Sequence, residues 1–138
     1  LPHREGADFS EAAILKALND PAGLSKDIAN SARYLAWWQR CRARQATDIS
    51  CLHFEGAAIL HLPGELFVEY QLAAQKMSPV NVVAMAAYGD YGPMYIPTAA
   101  AYAEGGYESS QVSRVSPAAE DLLLSTIQAL VLRNESKI

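Results

Sequence analysis

The chain has 138 residues, enough for one hydrophobic core and about one domain. Half of it (51%) is hydrophobic and 19% is charged, a composition that excludes a disordered chain. The net charge of −4 leaves no electrostatic case for nucleic acid as a partner, and no apolar run nears the ~20 residues a bilayer-spanning helix needs.

Residues 1–7 read as an irregular lead-in. Asp8 with Glu11 has the form of a capping pair for a helix from Phe9 to Leu18, which Asn19-Asp20-Pro21 stops. A second helix is expected from Lys26 to Arg44. Leu24, Ile28, Leu35 and Trp38 form its core stripe, and Arg40, Arg42 and Arg44 read as a solvated face. Trp37 and Trp38 read as packing residues. The two cysteines, Cys41 and Cys51, fit free, half-buried thiols rather than a disulfide framework, so they leave the redox compartment open.

Asp48–Phe54 and Ala57–Leu62 alternate as strands, and Glu55-Gly56 between them signals a two-residue hairpin. That turn pairs Phe54 with Ala57, Leu52 with Ile59 and Ser50 with His61. Both faces are largely apolar, so the hairpin is expected to be covered on both sides. A helix follows from Leu66 to Met77, ended by Ser78-Pro79, and Val80–Ala87 is expected as a third strand. Residues 88–115 form a long Gly/Pro/Tyr-rich connection, a length that marks functional loops, and five tyrosines between positions 88 and 107 argue against disorder. Ser116-Pro117 opens a last helix to about Arg133, burying Leu122, Leu123, Ile127, Leu130 and Val131. The order implies an α/β fold: a small mixed sheet, the hairpin plus at least one further strand, packed with about four helices.

Two segments carry chemistry. In the first, Leu62-Pro63-Gly64-Glu65, a carboxylate follows an apolar strand and a Pro-Gly bend, at a sheet edge where α/β folds place ligands. The second runs Tyr88-Gly89-Asp90-Tyr91-Gly92-Pro93-Met94-Tyr95-Ile96-Pro97-Thr98, on through Tyr102 to Gly105-Gly106-Tyr107-Glu108. Taken alone, Glu65 is also an ordinary first-turn glutamate, and the tyrosines an ordinary packed loop. There is no helical His-Glu-x-x-His site, no Gly-x-Ser-x-Gly elbow and no phosphate-binding loop.

Together these segments, over roughly residues 48–133, resemble the C-terminal part of the catalytic domain of the neutral (non-lysosomal) ceramidases, a family of zinc amidases. The family carries Pro-Gly-Glu at the end of a strand and a Tyr-Ile-Thr-Thr, Tyr, Tyr-Glu series at the spacing seen here. The resemblance implies that Glu65 and Tyr95 are Zn²⁺ ligands and that Tyr107 is a hydroxyl donor facing the scissile amide. It also implies an N-acyl sphingolipid, a lipid amide, as substrate. Where the family continues Thr-Thr-Met-x-Gly-Arg-Arg, this chain has Leu66-Phe67-Val68-Glu69-Tyr70-Gln71. The family's other two ligands are histidines from its N-terminal half, and His3, His53 and His61 stand in no such context.

The expectation is therefore a single domain, residues 1–138, forming the C-terminal portion of a larger ceramidase-like hydrolase. Its partner would be the N-terminal half of the same protein, its zinc site would be incomplete, and it would be inactive alone. The alternatives are a non-catalytic remnant of the same fold, or an interaction domain that self-associates as a homo-oligomer through an apolar face.

Overall fold

The computed structural model describes residues 1–78 and 82–132. A 3₁₀ turn, Ala7–Phe9, leads into helix α1, Glu11–Leu18. Ser10, not Asp8, is its N-cap: the hydroxyl accepts from the Ala13 amide at 3.3 Å. Ser10 lies in extended backbone directly before the helix, where a short side chain reaches an unpaired amide of the first turn, whereas Asp8 belongs to the 3₁₀ turn.

Helix α2, Ser25–Arg42, packs on α1. Its buried side is rotated from the expected stripe, with Ser31 and Trp37 buried and Leu24 exposed as the residue before the helix. Trp37 fixes that rotation. Its indole N–H donates to the Arg114 carbonyl at 3.3 Å, and its ring lies where a Cβ on Gly92 would come within 2.7 Å. The arginines are not one solvated face: Arg40 is ion-paired with Asp90, and Arg42 lies over the Trp38 ring.

The hairpin forms in the expected register. Strands β1, Ser50–Phe54, and β2, Ala57–His61, are antiparallel, with Ser50 opposite His61, Leu52 opposite Ile59 and Phe54 opposite Ala57. Gly56 turns the chain at φ 75°, a conformation that costs a side-chain-bearing residue more than glycine. Helix α3, Val68–Met77, then crosses over to strand β4, Val82–Ala86, which runs parallel to β2, giving the order β1-β2-β4. The fold is α/β with a small mixed sheet, as expected, although Pro79 and Val80 lie outside the described residues.

One face of this sheet makes the core. Ala58, Leu60 and Val83 pack with Ala74 of α3 and with Leu123, Ile127 and Val131 of the last helix, α5, Ala119–Val131. Leu122 does not share that core; it lies on the outer side of α5 and is exposed. The other face is open, against the expectation of cover on both sides: Leu52 is 58% exposed, Phe54 55% and Val82 70%. Among the described residues, α3 and α5, the helices with the main contacts to the sheet, lie on the Leu60 side. Among the described residues no helix is long and apolar enough to cross a membrane.

The segment expected as one irregular connection carries three short elements: strand β5, Tyr95–Ile96, helix α4, Ala99–Glu104, and a π-helical turn, Glu108–Val112. Thr98 caps α4 by accepting from the Ala101 amide at 3.3 Å. Tyr102 ties this segment inward, its hydroxyl donating to the Val115 carbonyl at 2.7 Å.

Candidate functional site

Glu65 does not open a helix. With Leu66 it forms the two-residue strand β3, and α3 begins only at Val68. The reason is the backbone of the Pro-Gly bend. Gly64 adopts φ 64°, and a Cβ there would lie 2.6 Å from the Met94 carbonyl oxygen. Only glycine lets the two backbones approach that closely. The approach makes β3 the parallel partner of β5, with Glu65 directly beside Tyr95 and Leu66 beside Ile96. The Glu65 amide donates to Met94 O at 2.8 Å, and the Phe67 amide to Ile96 O at 3.2 Å.

Residues 88–94 arch over this short pair. The Tyr88 amide donates to Gly64 O at 2.8 Å, the Gly64 amide to Asp90 O at 2.7 Å, and the Gly89 amide to Leu62 O at 3.0 Å. Both ends of the arch are non-glycine residues in the left-handed region, Tyr88 at φ 67° and Met94 at φ 60°. Such backbone persists only where its surroundings hold it.

The arch brings phenols onto the carboxylate. Tyr91 donates its hydroxyl to Glu65 Oε2 at 3.3 Å, Tyr95 lies beside Glu65 in the strand pair, and Tyr88 stacks on Tyr91. The Tyr88 and Tyr91 rings stack with centroids 5.8 Å apart, while Tyr107 meets Tyr95 edge-on at 6.4 Å. The pKa values of Tyr88, Tyr91 and Tyr95 are all raised, first by lost hydration and then by the charge of Glu65, which disfavours a neighbouring phenolate. Glu65, Tyr95 and Tyr107 are thus drawn into one cluster. Tyr88 and Tyr91, which belong to the same tyrosine-rich segment but to which the sequence assigns no role, join it. Their signal was the repeated Tyr within Tyr88-Gly89-Asp90-Tyr91-Gly92, a tight Gly-rich turn that places two rings side by side.

The cluster is a surface rather than a cleft, with Tyr88 and Tyr107 each 58% exposed. A cavity of about 420 Å³ lies elsewhere, lined by Leu1, His3, Arg4, Phe9, Trp38 and Cys41 among others, and holds none of these tyrosines. His53 is structural, its Nε2 lying 3.0 Å from the Leu130 carbonyl. His61 packs its ring against the backbone at Gly89, where a Cβ would meet it at 2.7 Å. His3 bridges to Val115. Cys41 and Cys51 are free and half-buried. Among the described residues no three His, Cys, Asp or Glu side chains gather as a metal centre. Glu65 and the adjoining phenols offer oxygen donors for part of a coordination shell. No protein-family model, curated protein or solved structure matches the chain.

Proposed function

We propose that this chain contributes part of the active surface of a zinc-dependent amide hydrolase resembling the neutral ceramidases. The observation that supports it most is the pairing of Glu65 with Tyr95 in a strand of only two residues, with Tyr107 edge-on to Tyr95. Glu65 and Tyr95 would hold Zn²⁺ through one carboxylate and one phenolate oxygen. Zinc normally takes four ligands, and the remaining ones would be two histidines from a preceding half of the same protein. Bound zinc supplies a Lewis acid for an amide carbonyl. The chain's own residues do the rest. Glu65 anchors the site through its backbone hydrogen bond to Met94 and accepts the Tyr91 hydroxyl. Tyr95 must lose its phenol proton to become a ligand, so zinc uptake strengthens as pH rises, and its raised pKa moves that rise to higher pH. Tyr107, exposed beside Tyr95, would donate its hydroxyl to the carbonyl oxygen of the scissile amide as negative charge grows there. An N-acyl sphingolipid is the proposed substrate.

Calorimetry with Zn²⁺ on the 138-residue chain tests this reading. Weak binding is expected, and Glu65→Gln or Tyr95→Phe should each abolish it, while Tyr107→Phe leaves it intact. Binding unaffected by either ligand change refutes the metal assignment. In a longer protein that supplies the histidines, Tyr107→Phe should lower kcat by ~10²–10³ on a short-chain N-acyl sphingoid substrate.

The open sheet face favours a second reading. Leu52, Phe54, Ile59 and Val82 form an uncharged apolar patch, which suits a self-associating interaction domain of the same fold. Sedimentation at rising concentration separates the two: a strict monomer leaves the hydrolase reading alone.

A further inference from the structure

The three tyrosines reach Glu65 by different routes. Tyr95 is placed by strand pairing, directly beside Glu65. Tyr88 and Tyr91 are placed only by the arch, which backbone hydrogen bonds tie to Leu62, Gly64 and Arg114 and which an ion pair ties to α2. Arg40, near the end of α2, grips Asp90 with both arms of its guanidinium: Nη1 donates to Oδ1 at 3.0 Å and Nη2 to Oδ2 at 2.6 Å. Oδ1 also accepts from the Gly92 amide at 3.1 Å, and the Asp90 carbonyl accepts from the Gly64 amide. Asp90 therefore faces three ways: toward the helix, toward the turn that follows it, and toward the bend that carries Glu65. Gly92 seats that turn on Trp37, whose ring also lies 5.5 Å from the Arg40 guanidinium.

We propose that Arg40 and Asp90 are a positioning pair that holds the 88–94 arch over Glu65, and so sets the Tyr91 hydroxyl on its carboxylate with the Tyr88 ring stacked alongside. The geometry fits that role better than general stabilisation. A bidentate fork fixes direction as well as distance. It joins a helix to the middle of a segment whose two ends are conformationally unfavourable, where a tether is most needed. Both side chains are over two-thirds covered, 29% and 27% exposed, so the pair is less screened than an open surface bridge. Neither residue touches the carboxylate; they act through Tyr88, Tyr91 and Gly64. This inference deepens the reading of Glu65 as a site group, and its test needs no metal.

The test uses the metal-free 138-residue chain carrying tyrosine labelled with ¹³C at Cζ, observed by NMR at neutral pH. Glu65→Gln identifies the signals that sense the carboxylate. Arg40→Met should move the Tyr88 and Tyr91 signals toward their positions in Glu65→Gln and leave Tyr95 in place. Amide exchange should quicken roughly tenfold at Gly64 and Gly92, and less than about twofold at Phe67, whose partner is in β5. Arg40→Lys, which keeps the charge without the fork, should restore part of both effects. Asp90→Asn serves as the second variant if Arg40→Met does not fold. Unmoved Tyr88 and Tyr91 signals in a folded variant overturn the proposal. So does an equal response at Tyr95, or failure of both variants to fold, since either makes the pair a general stabiliser. Zinc binding could fail with all these shifts present, or persist with none, so the two readings fall separately.

Discussion

The two sheets of this chain are held by different physics. The β1-β2-β4 sheet has five residues per strand, and every second side chain on one face enters a core of Leu60, Val83, Leu123 and Ile127. Its register follows from alternation, because a slip of one residue would turn that face outward. The β3-β5 pair has two residues per strand and cannot be fixed that way. It depends on one glycine with no room for a Cβ, on backbone hydrogen bonds from Gly64, Glu65 and Phe67, and on an arch tethered to α2. The first sheet is a hydrophobic object that tolerates its surface. The second is a hydrogen-bonded object in which nearly every residue is constrained, and it is the one that gathers Glu65 and the tyrosines.

Breaking the large sheet should cost most. Leu60→Ala leaves a cavity in a fully buried position and should destabilise the chain by about 2–5 kcal/mol in urea unfolding, with Glu65 still beside Tyr95 in the folded fraction. Breaking the small pair needs only a methyl group. Gly64→Ala sets a Cβ against Met94 O at φ 64° and should cost about 2–4 kcal/mol. Gly56→Ala sharpens the contrast. It has a similar φ of 75° but open space around the Cβ, so only the conformational cost of about 1–2 kcal/mol should appear. Equal losses at the two glycines would mean that the close approach at Gly64 contributes nothing.

The smallest effect is pH-dependent. The Arg40 hydrogen bonds hold the Asp90 carboxyl below its ordinary range. Its folded-state pKa is therefore depressed, so the stabilisation is complete above the unfolded value of about 3.9 and is lost as pH falls through the folded value. Melting curves of the wild type and Asp90→Asn should differ by a few degrees at pH 7 and converge as the pH falls through the depressed folded-state value. A gap that persists in acid would assign the difference to something other than the ion pair.

The same contrast explains what could be read from the sequence. The hairpin register, the crossover helix and the third strand were legible because they rest on periodicity and a Glu-Gly turn. Glu65, Tyr95 and Tyr107 were legible only as a motif. Their convergence is geometric, but the placement of Glu65 in a strand was missed, since helix-forming residues from Val68 onward mask a two-residue strand before them. The Arg40–Asp90 tether spans fifty residues and leaves no local pattern. Arg40 looked like one of three surface arginines. The cover expected on the second face of the hairpin failed for a related reason: apolar residues on both faces show what a strand can bury, not what lies against it.

The left-handed backbone at Tyr88 and Met94 sets a conflict between durability and chemistry. A glycine at either position would relieve about 1 kcal/mol of unfavourable backbone, and at position 88 it would delete a phenol beside Glu65. A library of variants selected for heat resistance alone should therefore drift toward glycine or asparagine at the exposed position 88, while buried Met94 is held by its packing. Lineages that retain Tyr88 under that pressure would be reporting a demand other than folding.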